Sequence, residues 1–441
     1  MKRVLVIAYY WPPSGGSGVQ RWVKFCKYLP SLGWQPVVYA PEGADYPSLD
    51  PSFEAEVPPE VEVLRGPIWE PYAAYRKLLG GGKASTQVTE ISSGPKTWKQ
   101  RLSLWIRGNV FVPDPRVGWV RPSVKRLKKY LAEHPVDVVV TTGPPHSVHL
   151  IGQRLHKALG IPWIPDFRDP WSRMYYLKHL PMTAGTWHRL RRMEQQVLDQ
   201  CSTVLACTPF VQQEFQAQTL TPVACITNGF DEEDFRGRQL SRKDGHFNLA
   251  HIGLLAADGN PLLLWQVLGS MAAEDPAFRS ALRLRLSGKV DAEVLAAIGA
   301  AGLAENVVAL GYCDHAAAIR EQRAATVLLL PLRNDPEYRP ILPGKLFEYL
   351  AARRPVLGIG QTDGAMAQVL SQTQAGITVD WADAKGLRTF LQQAWEQFRS
   401  GGVPATAGNI APYTRRATAR ALAALLSQVC EIRPNCDVRS H

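Results

Sequence analysis

No two of the seven cysteines in this sequence stand in a Cys-x-x-Cys pair, and their odd number suits a reducing compartment better than a disulfide framework. They read as core or surface thiols and not as metal ligands. Nor does any stretch reach the roughly 18 to 20 consecutive apolar residues of a membrane span. Charge is sparse at 20%, hydrophobic residues reach 46%, and the 35 Gly and 34 Pro are spread along the chain. That combination excludes general disorder, coiled coil and collagen-like repeats. Acidic residues are outnumbered, 39 against 50 Lys and Arg, for a net charge of +11. The excess admits an anionic partner, whether nucleic acid, a lipid surface or a phosphorylated substrate, and the total alone does not choose.

At 441 residues the chain has room for two large domains. It opens with a basic start and an apolar run to Ala8, but Tyr9-Tyr10-Trp11-Pro12-Pro13 follows before any small-residue cleavage site. A buried first strand is therefore expected in place of a signal peptide, and a cytoplasmic location with at most peripheral membrane contact. Short apolar runs then alternate with longer amphipathic segments, the pattern of parallel sheets covered on both faces by helices. Strands are predicted at 3–8, 36–40, 136–141, 161–165, 203–206 and 224–227. After a polar, basic link at 236–245 a second series follows, at 247–252, 282–287, 307–310, 326–330 and 355–359. The expected fold class is α/β, with two doubly wound, Rossmann-like domains facing a central cleft, and ligands at the carboxyl ends of the strands.

One region breaks the alternation. A Gly/Ser/Thr-rich stretch at 80–94 reads as a mobile loop, and it leads into a helical pattern from Trp98 to Arg107. Trp98, Leu102, Trp105 and Ile106 share one face, opposite Lys99, Arg101 and Ser103. Between Lys96 and Lys129 there are ten Lys or Arg and one acid, Asp114, so most of the net charge is concentrated here.

Two segments carry chemistry. Ser14-Gly15-Gly16-Ser17-Gly18-Val19-Gln20-Arg21 follows the first strand and opens a helix. Its glycines permit a tight turn and close approach of a ligand, and the helix-start amides favour an anion; a purely structural turn explains it equally. It matches neither a Walker loop nor a dinucleotide fingerprint. In the second segment, Pro343-Gly344 starts a short helix through Lys345, Leu346 and Glu348. Amides at Gly344 to Leu346 are expected to be free, Lys345 adds a cation where a diphosphate docks, and Glu348 faces the same helix end to meet ribose hydroxyls. The plain alternative is a helix with a solvated Lys/Glu pair.

Together with its surroundings this stretch resembles the donor-site signature of retaining glycosyltransferases of the GT-B fold, specifically family 4. The resemblance covers most of the chain. It takes in the loop at 14–18, Asn228-Gly229 with Asp231, His251-Ile252-Gly253, Gly311-Tyr312, Pro331, the Pro343 to Tyr349 run, and Gly376 after a final apolar strand. It implies an N-terminal acceptor-binding domain at 1–238, with a basic, Trp-bearing insertion at about 80–120. A C-terminal donor-binding domain at 246–441 would follow, its last helix, about 411–430, packing back toward the first. It further implies that Gly16, Gly18, Gly253, Pro343, Gly344 and Leu346 line the donor, that Lys345 neutralises its diphosphate, and that Glu348 is the second glutamate of the family's Glu-x₇-Glu motif. The first falls at Pro340, which leaves the donor sugar open. A phosphate-clamping Arg common in the loop at 253–261 is also missing. Lys289 offers a second positive charge there, or is a solvated lysine.

In the first domain, loops leaving the strands at 136–141 and 161–165 should face the cleft. Arg168-Asp169 occupies the place of the family's His-Asp pair, which makes Asp169 a candidate to contact the transferred sugar or steer the acceptor. His146 is a candidate for hydrogen bonding at the reacting centre. Against this, Asp166 or Asp169 pairs with Arg168 as a strut, or His146 caps its helix; His149 is a weaker candidate. No double-displacement carboxylate pair and no Asp-x-Asp motif occurs, so retaining transfer without metal or other cofactor is expected, with a nucleotide sugar, UDP- or GDP-linked, as co-substrate. Trp98, Arg101, Trp105 and Arg107 are expected at the acceptor or an anionic membrane, presenting a glycan or lipid-linked acceptor for envelope or exopolysaccharide synthesis. Their alternative is packing onto the first domain. A sugar-nucleotide epimerase on the same scaffold is a competing enzyme. A nucleic-acid-binding protein fits less well, since the basic region holds no recognisable binding motif and its aromatics share one face. No nucleic-acid partner is expected.

Overall fold

The computed structural model describes residues 1–70, 98–237, 244–402, 406 and 408–431. The expected loop at 80–94 lies outside them. The chain divides into two compact units, residues 1–227 with 416–441 and residues 228–415.

The N-terminal unit is built on β1 (Lys2–Ala8), α1 (Ser17–Tyr28), β2 (Trp34–Glu42), β3 (Glu62–Pro67), α2 (Trp98–Asn109), α3 (Val120–Glu133), β4 (Val138–Gly143), α4 (Ser147–Leu159), β5 (Trp163–Phe167), α5 (Ala184–Gln200), β6 (Val204–Ala206), α6 (Pro209–Gln216) and β7 (Val223–Cys225). Its seven strands are all parallel, in the order β3-β2-β1-β4-β5-β6-β7. Parallel strands covered on both faces must be apolar on both, which is why Val4 to Ala8 and Val138 to Val140 are fully buried. Strand β3 escapes the sequence pattern because Glu62-Val63-Leu64-Arg65 sits at the sheet edge and is only partly covered.

The C-terminal unit contains β8 (Phe247–Ile252), α7 (Leu262–Glu274), α8 (Pro276–Ala281), β9 (Leu282–Ser287), α9 (Ala292–Ala300), β10 (Val307–Gly311), α10 (His315–Ala324), β11 (Val327–Pro331), α11 (Gly344–Ala352), β12 (Val356–Ile359), α12 (Ala365–Gln372), β13 (Gly376–Val379) and α13 (Ala384–Arg399). Its six strands are again parallel, ordered β10-β9-β8-β11-β12-β13. Gly376 comes after the last predicted strand, β12, and begins β13, which the sequence pattern did not predict; a Cβ there would lie 2.0 Å from the Val356 carbonyl oxygen, so the close approach of β12 demands glycine.

The two sheets share one topology. In each, the strand order reverses beside the first strand, between β1 and β4 and between β8 and β11, and the loops leaving those carboxyl ends diverge to leave a crevice. The last helix, α14 (Arg415–Glu431), places Ala419, Leu422, Leu426 and Val429 in the same core cluster as Val6, Trp22, Val23 and Phe25 of the N-terminal unit. Each fully buried Leu there stabilises by about 1.5–3 kcal/mol. The start of the C-terminal unit precedes the basic link because Phe230 packs with Ile252 and Leu346, and its backbone bonds to Tyr413 and Arg415.

Candidate functional site

In the C-terminal unit the predicted donor residues converge at the β8/β11 crevice. Gly253, directly after β8, has φ +118, and a Cβ on it would lie 2.7 Å from the Lys345 Nζ and 2.8 Å from its Cε. Conformation and space therefore both require glycine. Gly288 supports it from behind, since a Cβ there would lie 2.8 Å from the Gly253 carbonyl carbon. The Gly253 amide donates to Ser287, and the Leu255 amide donates to the Lys289 carbonyl, which fixes the 253–255 loop beside the end of β9. The Lys289 side chain itself is exposed.

Lys345 is held by a residue whose role the sequence reading did not assign. His251 is buried, with Nδ1 3.0 Å from the Leu329 carbonyl oxygen and Nε2 3.3 Å from the Lys345 Nζ. Burial, reinforced by the Lys345 charge, pushes the imidazole down to about 3, so it is neutral. Nε2 also lies 3.2 Å from the Leu254 carbonyl oxygen, and a neutral ring has one N–H; with that proton on Nδ1 it donates to Leu329 and leaves Nε2 to accept from the Lys345 ammonium. Lys345 also donates to the Leu254 carbonyl at 3.4 Å. Burial lowers its own pKa to about 8, although the nearby Glu348 carboxylate works in the opposite direction.

Glu348 accepts from the buried Gln322 Nε2 at 2.7 Å, so Lys345 and Glu348 each have other partners and do not form a solvated pair. Pro343 is the N-cap of α11, with no side chain capping the helix start. Gly344 is exposed, and a Cβ on it would meet nothing within 4 Å, so the approach is open. Leu346 corrects the sequence reading: its side chain is fully buried and its amide donates to the Pro343 carbonyl, so the amides at Gly344 and Lys345 are the ones left for a ligand. Also missed was Arg333, which follows β11 and pairs with Asp258 at 2.9 Å, tying the loop after β11 to the loop after β8. Its signal was its position three residues past the end of a predicted apolar strand. The arrangement can meet an anionic group with an ammonium and a helix start at one point.

The crevice of the N-terminal unit is ordered around Asp166, not Asp169. Asp166 is fully buried, accepts from Arg21 Nη2 at 3.0 Å, Trp22 Nε1 at 2.7 Å and Thr142 Oγ1 at 2.9 Å, and so locks α1, β4 and β5 together. Arg168 is not its partner. It donates to the carbonyls of Gly18 (2.6 Å), Pro144 (2.7 Å) and Gly143 (3.1 Å). Gly18 is explained by this contact, as a Cβ there would lie 2.7 Å from the Arg168 Nη1. Gly16 is exposed at the N-cap of α1 with φ +92. Asp169 lies half-buried after β5; burial pushes its carboxyl up, and Arg168 opposes this.

His146 stands at the N-cap position of α4, but its side chain does not cap the helix. Asp114 does, accepting from the Ser147 amide at 2.7 Å and its hydroxyl at 2.9 Å. The His146 ring is buried flat against Trp171, 5.3 Å between centroids, with Nε2 3.4 Å from the Met174 sulfur, and burial lowers its pKa. His149, also buried, is 2.9 Å from Thr141 Oγ1 and is pushed down to about 3. His146 lines a cavity of about 330 Å³, as do Arg107 and Gly108 from the end of α2. On α2, Trp98 is 70% exposed, Leu102 46% and Trp105 44%, so the indoles do not pack into the core; Arg101, expected on the opposite face, is exposed too, whereas Ser103, expected with it, is buried. Among the described residues, no helix is long and apolar enough to cross a membrane.

A model of the family "Glycosyltransferase Family 4" matches residues 16–234, and one of "Glycosyl transferases group 1" matches residues 247–397. No curated protein matches the sequence. Among solved structures, the chain is similar to a sucrose-phosphate synthase from Thermosynechococcus elongatus (13% identity, 98% and 97% of the two chains, TM-score 0.56). It is also similar to an α,α-trehalose-phosphate synthase (UDP-forming) from Burkholderia vietnamiensis (12%, 98% and 100%, 0.58). A third is WaaG, a glycosyltransferase involved in lipopolysaccharide biosynthesis (14%, 98% and 100%, 0.52). At these identities the likeness is one of fold, and the two family matches carry the assignment. With two Rossmann-like sheets, each matched over its own half of the sequence, the chain belongs to the family-4-like glycosyltransferases of the GT-B fold.

Proposed function

We propose that the chain transfers a sugar, with retention of anomeric configuration, from a UDP- or GDP-linked donor to a glycan or lipid-linked acceptor of envelope or exopolysaccharide synthesis. The C-terminal unit takes the donor and the N-terminal unit the acceptor. The observation that carries this reading is the Lys345 ammonium, oriented by neutral His251 beside Gly253 and the open start of α11. Cleavage of a sugar–phosphate bond leaves charge on the diphosphate. Lys345, the Gly344 and Lys345 amides and the exposed Lys289 meet that charge as it develops, which lowers the barrier electrostatically. Glu348 accepts from ribose hydroxyls. The departing phosphate takes the acceptor proton on the same face of the sugar, so neither a metal nor a second cofactor is required. Asp169 and His146 belong to the acceptor side of the reaction. The exposed face of Trp98, Leu102 and Trp105, with Arg101, docks on the anionic inner face of the membrane.

The test is the configuration of the product. With the donor that the protein turns over, NMR of the first product formed in excess EDTA is expected to show the donor's own anomeric configuration at an undiminished rate. Inversion would overturn the retaining mechanism, and loss of turnover in EDTA its metal independence. Donor consumed equally well without acceptor would favour the epimerase.

A further inference from the structure

The cavity at the end of α2 has a composition that the donor chemistry does not use. Its walls include Phe111, Leu177, Leu180, Met182 and Leu190, a lining suited to hydrocarbon. Three charged side chains also reach it. Two are engaged elsewhere: Asp114 accepts from the Ser147 amide and hydroxyl, and Arg116 pairs with Glu70 at 3.1 Å while lying over the Tyr9 ring. The third is Arg107, half-buried in the last turn of α2, and among the described residues no hydrogen bond or ion pair engages its guanidinium. The carboxyl-end dipole of α2 offsets about half an elementary charge at most. A partly desolvated arginine in an apolar wall is favourable only when an anion completes it.

We propose that this cavity seats a phosphate-bearing acceptor with a hydrocarbon chain, a lipid-linked phosphate or diphosphate, and that Arg107 is its anion partner. The proposal rests on the transferase reading and names the acceptor class. At about 330 Å³ the space holds a phosphate and the first few carbons of a chain, not a whole lipid. The remainder extends along α2, whose exposed Trp98, Leu102 and Trp105 offer the interface on which such a chain is carried. His146 lines the same cavity, so one of the sequence-derived candidate residues borders the space the molecule would occupy.

Farnesyl phosphate, titrated calorimetrically into the full chain below its aggregation concentration, tests this. Wild type is expected to bind it, with farnesol and inorganic phosphate each weaker by about tenfold or more, since the cavity uses both halves. Arg107→Ala should lose about tenfold or more, and Leu180→Trp, which fills the cavity, should lose binding. Arg121→Ala, which removes an equal charge from an exposed site on α3, should stay within about twofold. Thermal unfolding of each variant in parallel separates misfolding from lost binding. Equal binding of inorganic phosphate would reduce the site to a free-anion pocket and overturn the proposal, as would an unaffected Arg107→Ala or Leu180→Trp. Nucleotide-sugar stabilisation, read on the same samples, reports on the C-terminal unit: its absence would count against the transferase reading while leaving the farnesyl phosphate result to judge the cavity.

Discussion

The Lys345 ammonium is held by an uncharged imidazole, a carbonyl and a nearby carboxylate, and buried enough that its pKa falls to about 8. A diphosphate at this point favours the protonated form, so binding and proton uptake are coupled. The sign follows. In the free protein the protonated fraction drops as pH rises through 8, and kcat/KM for the donor is expected to fall about tenfold per pH unit above it. In the complex the diphosphate raises the lysine pKa, so kcat should hold to higher pH. A pH–rate profile with kcat/KM flat from pH 7 to 10 would contradict the role given to Lys345. Asp166 makes a contrasting case, because its charge is spent on structure. Asp166→Asn leaves Arg21 buried without its carboxylate and should cost about 3–5 kcal/mol. That should appear as an earlier thermal transition of the N-terminal unit, with donor binding kept by the C-terminal unit.

Among elements, those with long apolar runs were legible before any coordinates. Strands β8 and β9 match their predicted limits, and β1, β4, β5, β11 and β12 lie within a few residues of theirs, because a doubly covered parallel strand has no polar face to blur the pattern. The edge strand β3 was not legible, since only one of its six residues is buried. The site was legible where a motif fixes backbone shape, at Gly253 and at Pro343 to Lys345. It was not where two distant side chains must meet: neither Arg21 with Asp166 nor His251 with Lys345 leaves any mark in local spacing. Helix α2 was legible as amphipathic, but sequence could not say which way its apolar face turns. With Trp98 and Trp105 outward, flotation with anionic phosphatidylglycerol vesicles at low salt is expected to recover the protein, and the Trp98→Ser/Trp105→Ser double variant should lose most of that binding. Equal recovery of both would remove α2 as the docking element.

Across the whole molecule, one topology serves two tasks. Both sheets reverse strand order beside their first strand and present glycine-bearing loops there, yet among the described residues only the C-terminal unit places a partly buried lysine at the open start of a helix. In the N-terminal unit Asp166 and Arg168 are instead engaged within the protein, and among the described residues Arg107 is left without an ion-pair partner beside the apolar-walled cavity. The chain's +11 charge is likewise uneven: the exposed Arg101, Arg121, Lys125, Arg126, Lys128 and Lys129 all belong to α2 and α3, away from the donor residues in sequence. The chain ends by returning α14 to the N-terminal core, so its last residues stabilise the unit that its first residues begin. The central claim is that Lys345 and Glu348 hold a nucleotide sugar. Thermal shift with UDP-, GDP-, ADP- and dTDP-sugars, followed by titration of the responsive donor into wild type, Lys345→Ala and Glu348→Ala, tests it most directly. The expected result is one responsive donor whose affinity falls about tenfold or more in each variant, in line with losing a charge-assisted contact. A donor that binds all three proteins equally, or no response to any nucleotide sugar, would contradict it.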